Sequence, residues 1–218
     1  MQPRLSPKNE TAMTLFEVGV VLAIVLILLA VLLPALRPAV RKSSKINCTN
    51  NLKQLGLAYR IWEGDNNDIY PAGVSITRGG AMELVQTGNV AFVFEVMSNE
   101  LSTPKILLCP MDTAKNFAFG FSGLANSNIS YFAGVDVTNE VNPRLIISGD
   151  GNFEIRAKPV KPGLLWLWTN DPVEWDATRH VRSGNLGFAD GSVQSASSAG
   201  LRLYFLQTGR ATNRLAIP

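Results

Sequence analysis

Hydrophobic positions along the 218 residues follow three different rhythms. The first is an unbroken run from Met13 to Leu36, MTLFEVGVVLAIVLILLAVLLPAL, in which Glu17 is the only ionisable side chain. As a helix rising about 1.5 Å per residue this run reaches about 36 Å, enough to cross a hydrocarbon core of about 30 Å. The second rhythm has period three to four: Leu36, Val40, Asn47 or Cys48, Leu52, Leu55, Tyr59 and Trp62, with Lys42, Lys45, Lys53 and Arg60 largely between them. That stripe predicts an amphipathic continuation of the helix whose apolar side packs on the C-terminal region. Gly64, the polar run Asp65-Asn66-Asn67-Asp68 and Pro71 end it with turn and cap chemistry.

The third rhythm begins at Asp65. Gly, Asn, Ser and Pro punctuate short apolar runs over 90–96, 105–108, 129–133, 145–148, 164–169, 185–189 and 192–196. These predict antiparallel strands, although 89–99 suits a short helix equally well. Asp190-Gly191, between the last two runs, predicts a hairpin with a two-residue turn in which both residues take positive φ. No repeat, low-complexity tract or linker divides this region. The chain is therefore expected to be α+β, a long N-terminal helix (span 13–36, amphipathic part 37–64) packed on a β-rich C-terminal domain, 65–218.

Composition sharpens the picture in one respect. A formal charge of +3, from 20 basic and 17 acidic residues, is too weak and dispersed to mark a nucleic-acid surface. A removed secretory signal is disfavoured, because its apolar middle runs only about 7 to 15 residues and a small-residue cleavage site should come after it, whereas Leu36 precedes Arg37 and Pro38. Counting bases around the span, Arg4 and Lys8 before it against Arg37, Arg41, Lys42 and Lys45 after it, would place the C-terminal side in the cytoplasm.

An acid inside a bilayer costs at least about 2.5 kcal/mol at the helix centre and calls for a partner. Ala12, Met13-Thr14-Leu15-Phe16-Glu17 and the apolar run behind them resemble the class III signal of type IV prepilins and type II secretion pseudopilins. The resemblance implies that a prepilin peptidase removes a leader, residues 1–12, on the cytoplasmic face, N-methylates Met13 and leaves the helix attached. Glu17 then becomes the fifth residue of the mature chain, and the net charge falls from +3 to +2 as Arg4, Lys8 and Glu10 leave. Pro34, the twenty-second mature residue, falls where many pilins carry a helix-bending Pro; with Pro38 it predicts a curved or locally melted helix between Leu33 and Arg41. Ala12 departs from the family, which most often has Gly there.

A second likeness lies near the C-terminus. In RHVRSGNLGFADGSVQSAS, His180 is followed after nine residues by Asp190-Gly191, which looks like the H-x9-DG element of a large group of bacterial prepilin-like proteins. INCTNNLKQLGLAYRIWEGDNNDIYP and LLCPMD look like the same group, so the likeness covers most of the chain. It implies a pilin-like α+β fold and a non-enzymatic structural subunit of a type IV pilus or type II secretion filament. The partners it implies are other pilin-like subunits, homo- or hetero-oligomeric, the prepilin peptidase, an inner-membrane assembly platform and lipid. The place is the inner membrane, single-pass, with the C-terminal domain periplasmic or extracellular.

The remaining candidate chemistry is sparse. Some secretion pseudopilins bind Ca²⁺ in a C-terminal loop, and Asp176, His180 and Asp190 are the residues here that would serve; the expectation is that no metal is bound, since a clustered set of oxygen ligands is lacking. His180 is expected to be a structural hydrogen-bonding residue beside the hairpin. Glu63, Asp65 and Asp68 lack the spacing of a calcium loop and are read as a helix end. Cys48 and Cys109 are the only cysteines. They allow a disulfide tying the helix to the segment at Leu107–Pro110, contributing about 3 to 5 kcal/mol on the chain-entropy model, or two buried thiols. No phosphate loop, Gly-x-Ser-x-Gly elbow, His-Glu-x-x-His or paired cysteine knuckle is present. Trp166, Trp168 and Trp175 fall within ten residues. The expectation for Trp166-x-Trp168 is one core-facing and one edge-covering ring; exposed, the three would instead suit a membrane-anchored periplasmic binding protein for glycans.

Overall fold

The computed structural model describes residues 14–139 and 141–218, with 34–41 described as backbone alone. The chain divides into two compact units, one up to Val40 and one spanning Arg41–Pro218. Helix α1, Leu15–Asp65, belongs to both. In the first unit its segment Leu15–Leu33 is long and apolar enough to cross a membrane, and none of these 19 residues is buried within the chain. The helix assignment continues through Pro34 and Pro38, so the local melting expected between Leu33 and Arg41 does not occur. Each Pro removes one N–H from the ladder, and a helix this long retains enough bonds on either side to carry on.

The second unit is α+β and its sheets are antiparallel throughout. Nine strands are described: β1 Tyr131–Gly134, β2 Ile146–Asp150, β3 Phe153–Ile155, β4 Lys158–Pro159, β5 Gly163–Trp168, β6 Val173–Trp175, β7 Ser183–Phe188, β8 Val193–Ser197 and β9 Thr212–Ile217. Six of them form one sheet in the order β5-β9-β1-β2-β7-β8, and the other three form a small sheet, β4-β3-β6. Four helices accompany them: α2 Met82–Val85, α3 Val90–Val96, α4 Ser98–Leu101 and α5 Ser198–Gln207.

Over β1 and β2 both faces of the large sheet are covered, and every residue of these two strands is buried rather than every second one. One face receives the stripe of α1. Cys48, Leu52, Leu55, Tyr59 and Trp62 are all buried there, in one cluster with Phe94 and Met97 from the short helices and Tyr131, Ala133 and Ile147 from the sheet. On the opposite face lie the small sheet and α5, with Phe132, Phe153, Trp175, Leu186, Phe205 and Leu215 at the centre. Phe153 stacks on Trp175 at 5.0 Å between ring centroids and meets Phe132 at 5.3 Å, geometry worth about 0.5 to 1.5 kcal/mol per pair beyond the area buried.

Several expected elements shift. The run 90–96 is the helix α3, opened by Asn89, whose side-chain oxygen accepts from the Phe92 N–H. The run 105–108 is not a strand: Pro104–Leu107 forms a 3-10 turn, with Thr103 accepting from the Lys105 N–H. Strands β3, β4, β6 and β9 and helix α5 arise where no strand or helix was expected.

The six-residue strand β7 crosses directly over Trp175. A methyl group built on Gly184 would lie 2.5 Å from two atoms of that ring. Because Trp175 is fully buried and stacked, it has nowhere to retreat. Gly184→Val is expected to destabilise the domain by about 2 to 4 kcal/mol, read as a lowered denaturation midpoint with unchanged slope in urea.

Candidate functional site

Three places carry the residues singled out by the sequence. At the head of α1, Thr14 and Glu17 form a reciprocal cap. The Glu17 N–H donates to Thr14 Oγ1 at 3.3 Å, while Glu17 Oε2 accepts from the Thr14 N–H at 2.7 Å and from Thr14 Oγ1 at 3.0 Å. This is the capping box that Thr-x-x-Glu before an apolar run encodes, a local role for the acid that the reading of the sequence missed although the pattern was there. Ala12 and Met13 lie outside the described residues, as does the side chain of Pro34.

The H-x9-DG element turns out to be strand β7 with its two ends. Ahead of β7, His180, Val181 and Arg182 all take left-handed backbone, at φ of 49°, 52° and 55°. Such a run costs about 1 to 2 kcal/mol per residue and has to be offset by surrounding contacts. It turns the His180 side chain into the interior, fully covered, with Nε2 3.4 Å from Cys109 Sγ. The Ser183 hydroxyl donates back to the His180 carbonyl, and Lys45 of α1 donates to that hydroxyl at 3.2 Å. After β7 comes the hairpin turn to β8, which is a three-residue loop and not the two-residue turn expected. The Phe188 N–H donates to the Ser192 carbonyl, and of Ala189, Asp190 and Gly191 only Gly191 has positive φ. A methyl group on Gly56 of α1 would come 3.5 Å from the Gly191 backbone, and Arg60 donates to the Asp190 carbonyl at 3.1 Å. His180 and Asp190 thus sit at opposite ends of a strand about 20 Å long, each end resting on α1.

That separation bears on the calcium set. Asp190 is exposed and its Oδ1 accepts the Ser192 N–H; Asp176 Oδ1 accepts from Asn152 Nδ2 and from the N–H and hydroxyl of Thr178. Both acids cap turns, and with His180 buried elsewhere the three do not converge. Glu63 likewise ends α1, its carbonyl accepting the N–H of Asn66 and of Asp68.

The third place is the buried surround of the cysteines. Cys48 and Cys109 form a disulfide with Cα atoms 5.2 Å apart, joining α1 to the loop before β1. Around it lies a polar cluster not foreseen from sequence. Arg179 reaches Asp112 Oδ2 at 3.0 Å and donates to the Ser130 carbonyl at 2.9 Å. Ser130 Oγ donates to Asp112 Oδ2 and accepts from the Cys109 N–H. Asp150 Oδ2 accepts from both the backbone N–H and the side-chain amide of Asn185, and lies 3.6 Å from His180 Nε2. Burial pushes the Asp150 carboxyl up, with His180 and Arg179 opposing; burial also draws His180 down, against the pull of Asp150. Lys115 donates to the carbonyls of Asn126 and Ile129, and burial draws its ammonium down to about 8, against the pull of Asp112.

Cys48, Cys109 and His180 bring two sulfurs and a ring nitrogen within 4.8 Å of one another, a soft-metal donor set if the thiols were free. With the sulfurs bonded to each other they offer no thiolate, and the cluster acts as internal scaffolding between α1 and the sheet.

The tryptophans differ from expectation. Trp175 is fully buried, whereas Trp166 and Trp168 are 54% and 59% exposed, and both project from the same face of β5 because residues two apart in a strand do so. Leu167 between them is the core-facing residue. Set against protein-family models, curated proteins and solved structures, the chain finds no match.

Two outcomes are expected of the cluster. Closing 61 residues, the disulfide is worth about 4 kcal/mol on the chain-entropy model; Cys48→Ser with Cys109→Ser is expected to lower the thermal midpoint of the domain by at least about 10 °C, read by calorimetry with and without reductant. For Lys115 the folded chain gives up its proton near 8 while the unfolded chain holds it to 10.5, so the unfolded state binds more protons in between. Stability should therefore rise with pH from 8 to 10 in the wild type relative to Lys115→Gln, a difference measured from paired urea melts.

Proposed function

We propose that the chain is a structural subunit of a type IV pilus-like or type II secretion pseudopilus-like filament, processed after Ala12 by a prepilin peptidase and anchored in the inner membrane by Leu15–Leu33, with Arg41–Pro218 on the outer side. The observation that carries this reading is the helix itself. The nineteen residues Leu15–Leu33, apolar but for Glu17, find no cover among the described residues, and the same helix continues into a folded domain as its central packing element. A cleaved or merely tethering segment would not need to be built into the core of the adjoining domain. Lipid covers such a surface before assembly, and the helices of other subunits cover it afterwards through 18–33.

Glu17 supplies the register. Alone, its carboxylate is held by Thr14 at the head of its own helix. In a staggered bundle it meets the methylated amine of Met13 on a neighbour, and leaving either charge unpaired in low dielectric costs several kcal/mol. The disulfide supports an outward domain, since such bonds persist in oxidising compartments, and it argues against the orientation that a count of Lys and Arg would give.

Mass spectrometry of the protein from its own membranes should find a first residue of Met13 carrying one methyl group; a chain beginning at Met1 or beyond Leu36 overturns the assignment. Glu17→Gln retains the hydrogen bonds of the cap and loses the charge. It is expected to leave membrane insertion unchanged and to lower recovery in sheared filaments at least about tenfold, as loss of a buried pair implies. Normal recovery would remove the pairing mechanism.

A further inference from the structure

We infer that the corner of the large sheet formed by β5 and β9 is a binding platform for a neutral oligosaccharide, a role that stands apart from filament assembly. The cover that α1 and the short helices give this face stops part-way along β5. Leu164 packs into the core beneath them, and two and four residues later Trp166 and Trp168, on the same face, are left in solvent. Their register partners on β9 are Arg214 and Thr212, so the uncovered corner consists of two indoles, a guanidinium and a hydroxyl.

The Trp166 ring is held before any ligand arrives. The Arg214 guanidinium lies 5.4 Å over the centroid of Trp166 and is itself gripped by Asp136 Oδ1 through both Nε and Nη2, while Asp136 Oδ2 accepts the Arg214 N–H. Asp171 Oδ2 accepts the backbone N–H of Trp168 at 2.8 Å and closes the turn behind it, fixing the strand end from which that indole projects. A ring fixed as that of Trp166 is loses little freedom on binding. Along β5 the two rings stand about 7 Å apart, two strand rises, a spacing over which successive sugar rings of one chain can each lie on an indole.

Beside the rings the same face dips into a cavity of about 340 Å³. Its polar lining includes Gln86, Asp136, Thr138, Asn139 and Arg214, donors and acceptors suited to hydroxyl groups. Asp136 and Arg214 cancel each other, and Arg210 adds a further charge at this rim, donating to the Asp136 carbonyl at 3.1 Å. A wall so nearly neutral favours an uncharged ligand over nucleic acid or an anionic surface. Size argues against a second copy of the chain: at 54% and 59% exposure the two indoles offer together about 300 Å², where a stable protein interface needs about 800 Å² from each partner. Rings of this area flanked by hydrogen-bonding side chains match the apolar face and hydroxyl rim of a sugar.

The test uses the full chain in lipid nanodiscs, without sugar-headed detergents, titrated by calorimetry with hexasaccharides of β-1,4-glucose, β-1,4-mannose, β-1,4-N-acetylglucosamine and α-1,4-glucose. At least one should bind with a submillimolar Kd. Trp166→Ala and Trp168→Ala should each weaken it about tenfold or more, and Trp168→Phe, which preserves an aromatic face, by much less. Thermal midpoints serve as the check on folding. The proposal is overturned if none of the four binds, if both alanine variants bind as wild type, or if they abolish association between copies while sugar binding persists. Its failure would leave the mass of the mature N-terminus, and so the filament reading, untouched.

Discussion

Helix α1 carries two kinds of surface along a single helix. Over Leu15–Leu33 its side chains are apolar on every side except at Glu17, and over the stretch from Arg41 they are apolar on one side only. A helix can make that change of surface because its backbone groups are satisfied internally, whereas a strand would need a partner along its whole length. Everything else in the second unit is arranged around the one-sided half. The disulfide at Cys48, the aromatic contacts of Tyr59 with Tyr70 and Phe94, and the polar grips of Lys45, Thr49, Asn51 and Arg60 fasten it to sheet and loops along both edges of its stripe.

What could be read from the sequence divides along the same line. The stripe from Cys48 to Trp62 was legible because period-three-to-four burial is a property of one segment alone. The six-stranded sheet was visible in part, since β1, β2, β5, β7 and β8 carry short apolar stretches or alternations set off by Gly, Asn, Ser and Pro. Strands β3 and β6 are three residues each; Phe153 and Trp175 are strand residues only because they stack on one another across the pair, and no local pattern encodes that. Helix α5 hid because Leu203 and Leu206 are exposed, so its apolar residues do not confine themselves to the side that Leu201 and Phe205 bury.

Among the candidate sites, the residue types were legible and their surroundings were not. His180 is buried, yet the hairpin near which it was expected to sit lies at the far end of β7, and its actual neighbours, Cys109 and Asp150, come from loops and strands remote in sequence. The tryptophan pair shows the reverse situation. Strict alternation along β5 places Trp166 and Trp168 on one face whatever the rest of the chain does; only the extent of helix cover, a tertiary property, decided that this face would be open there.

The nine residues between His180 and Asp190 are a ruler. Three are spent on reversing the chain or entering the turn, and the six of β7 measure the distance between two footholds on α1, one at the disulfide and one at Gly56. Deleting or adding a single residue would exchange the inner and outer faces of the strand and pull one foot off the helix. The motif's spacing is thereby a matter of length matching between a strand and a helix, and a chain that kept both end residues while changing the count between them would lose the fit as surely as one that lost either.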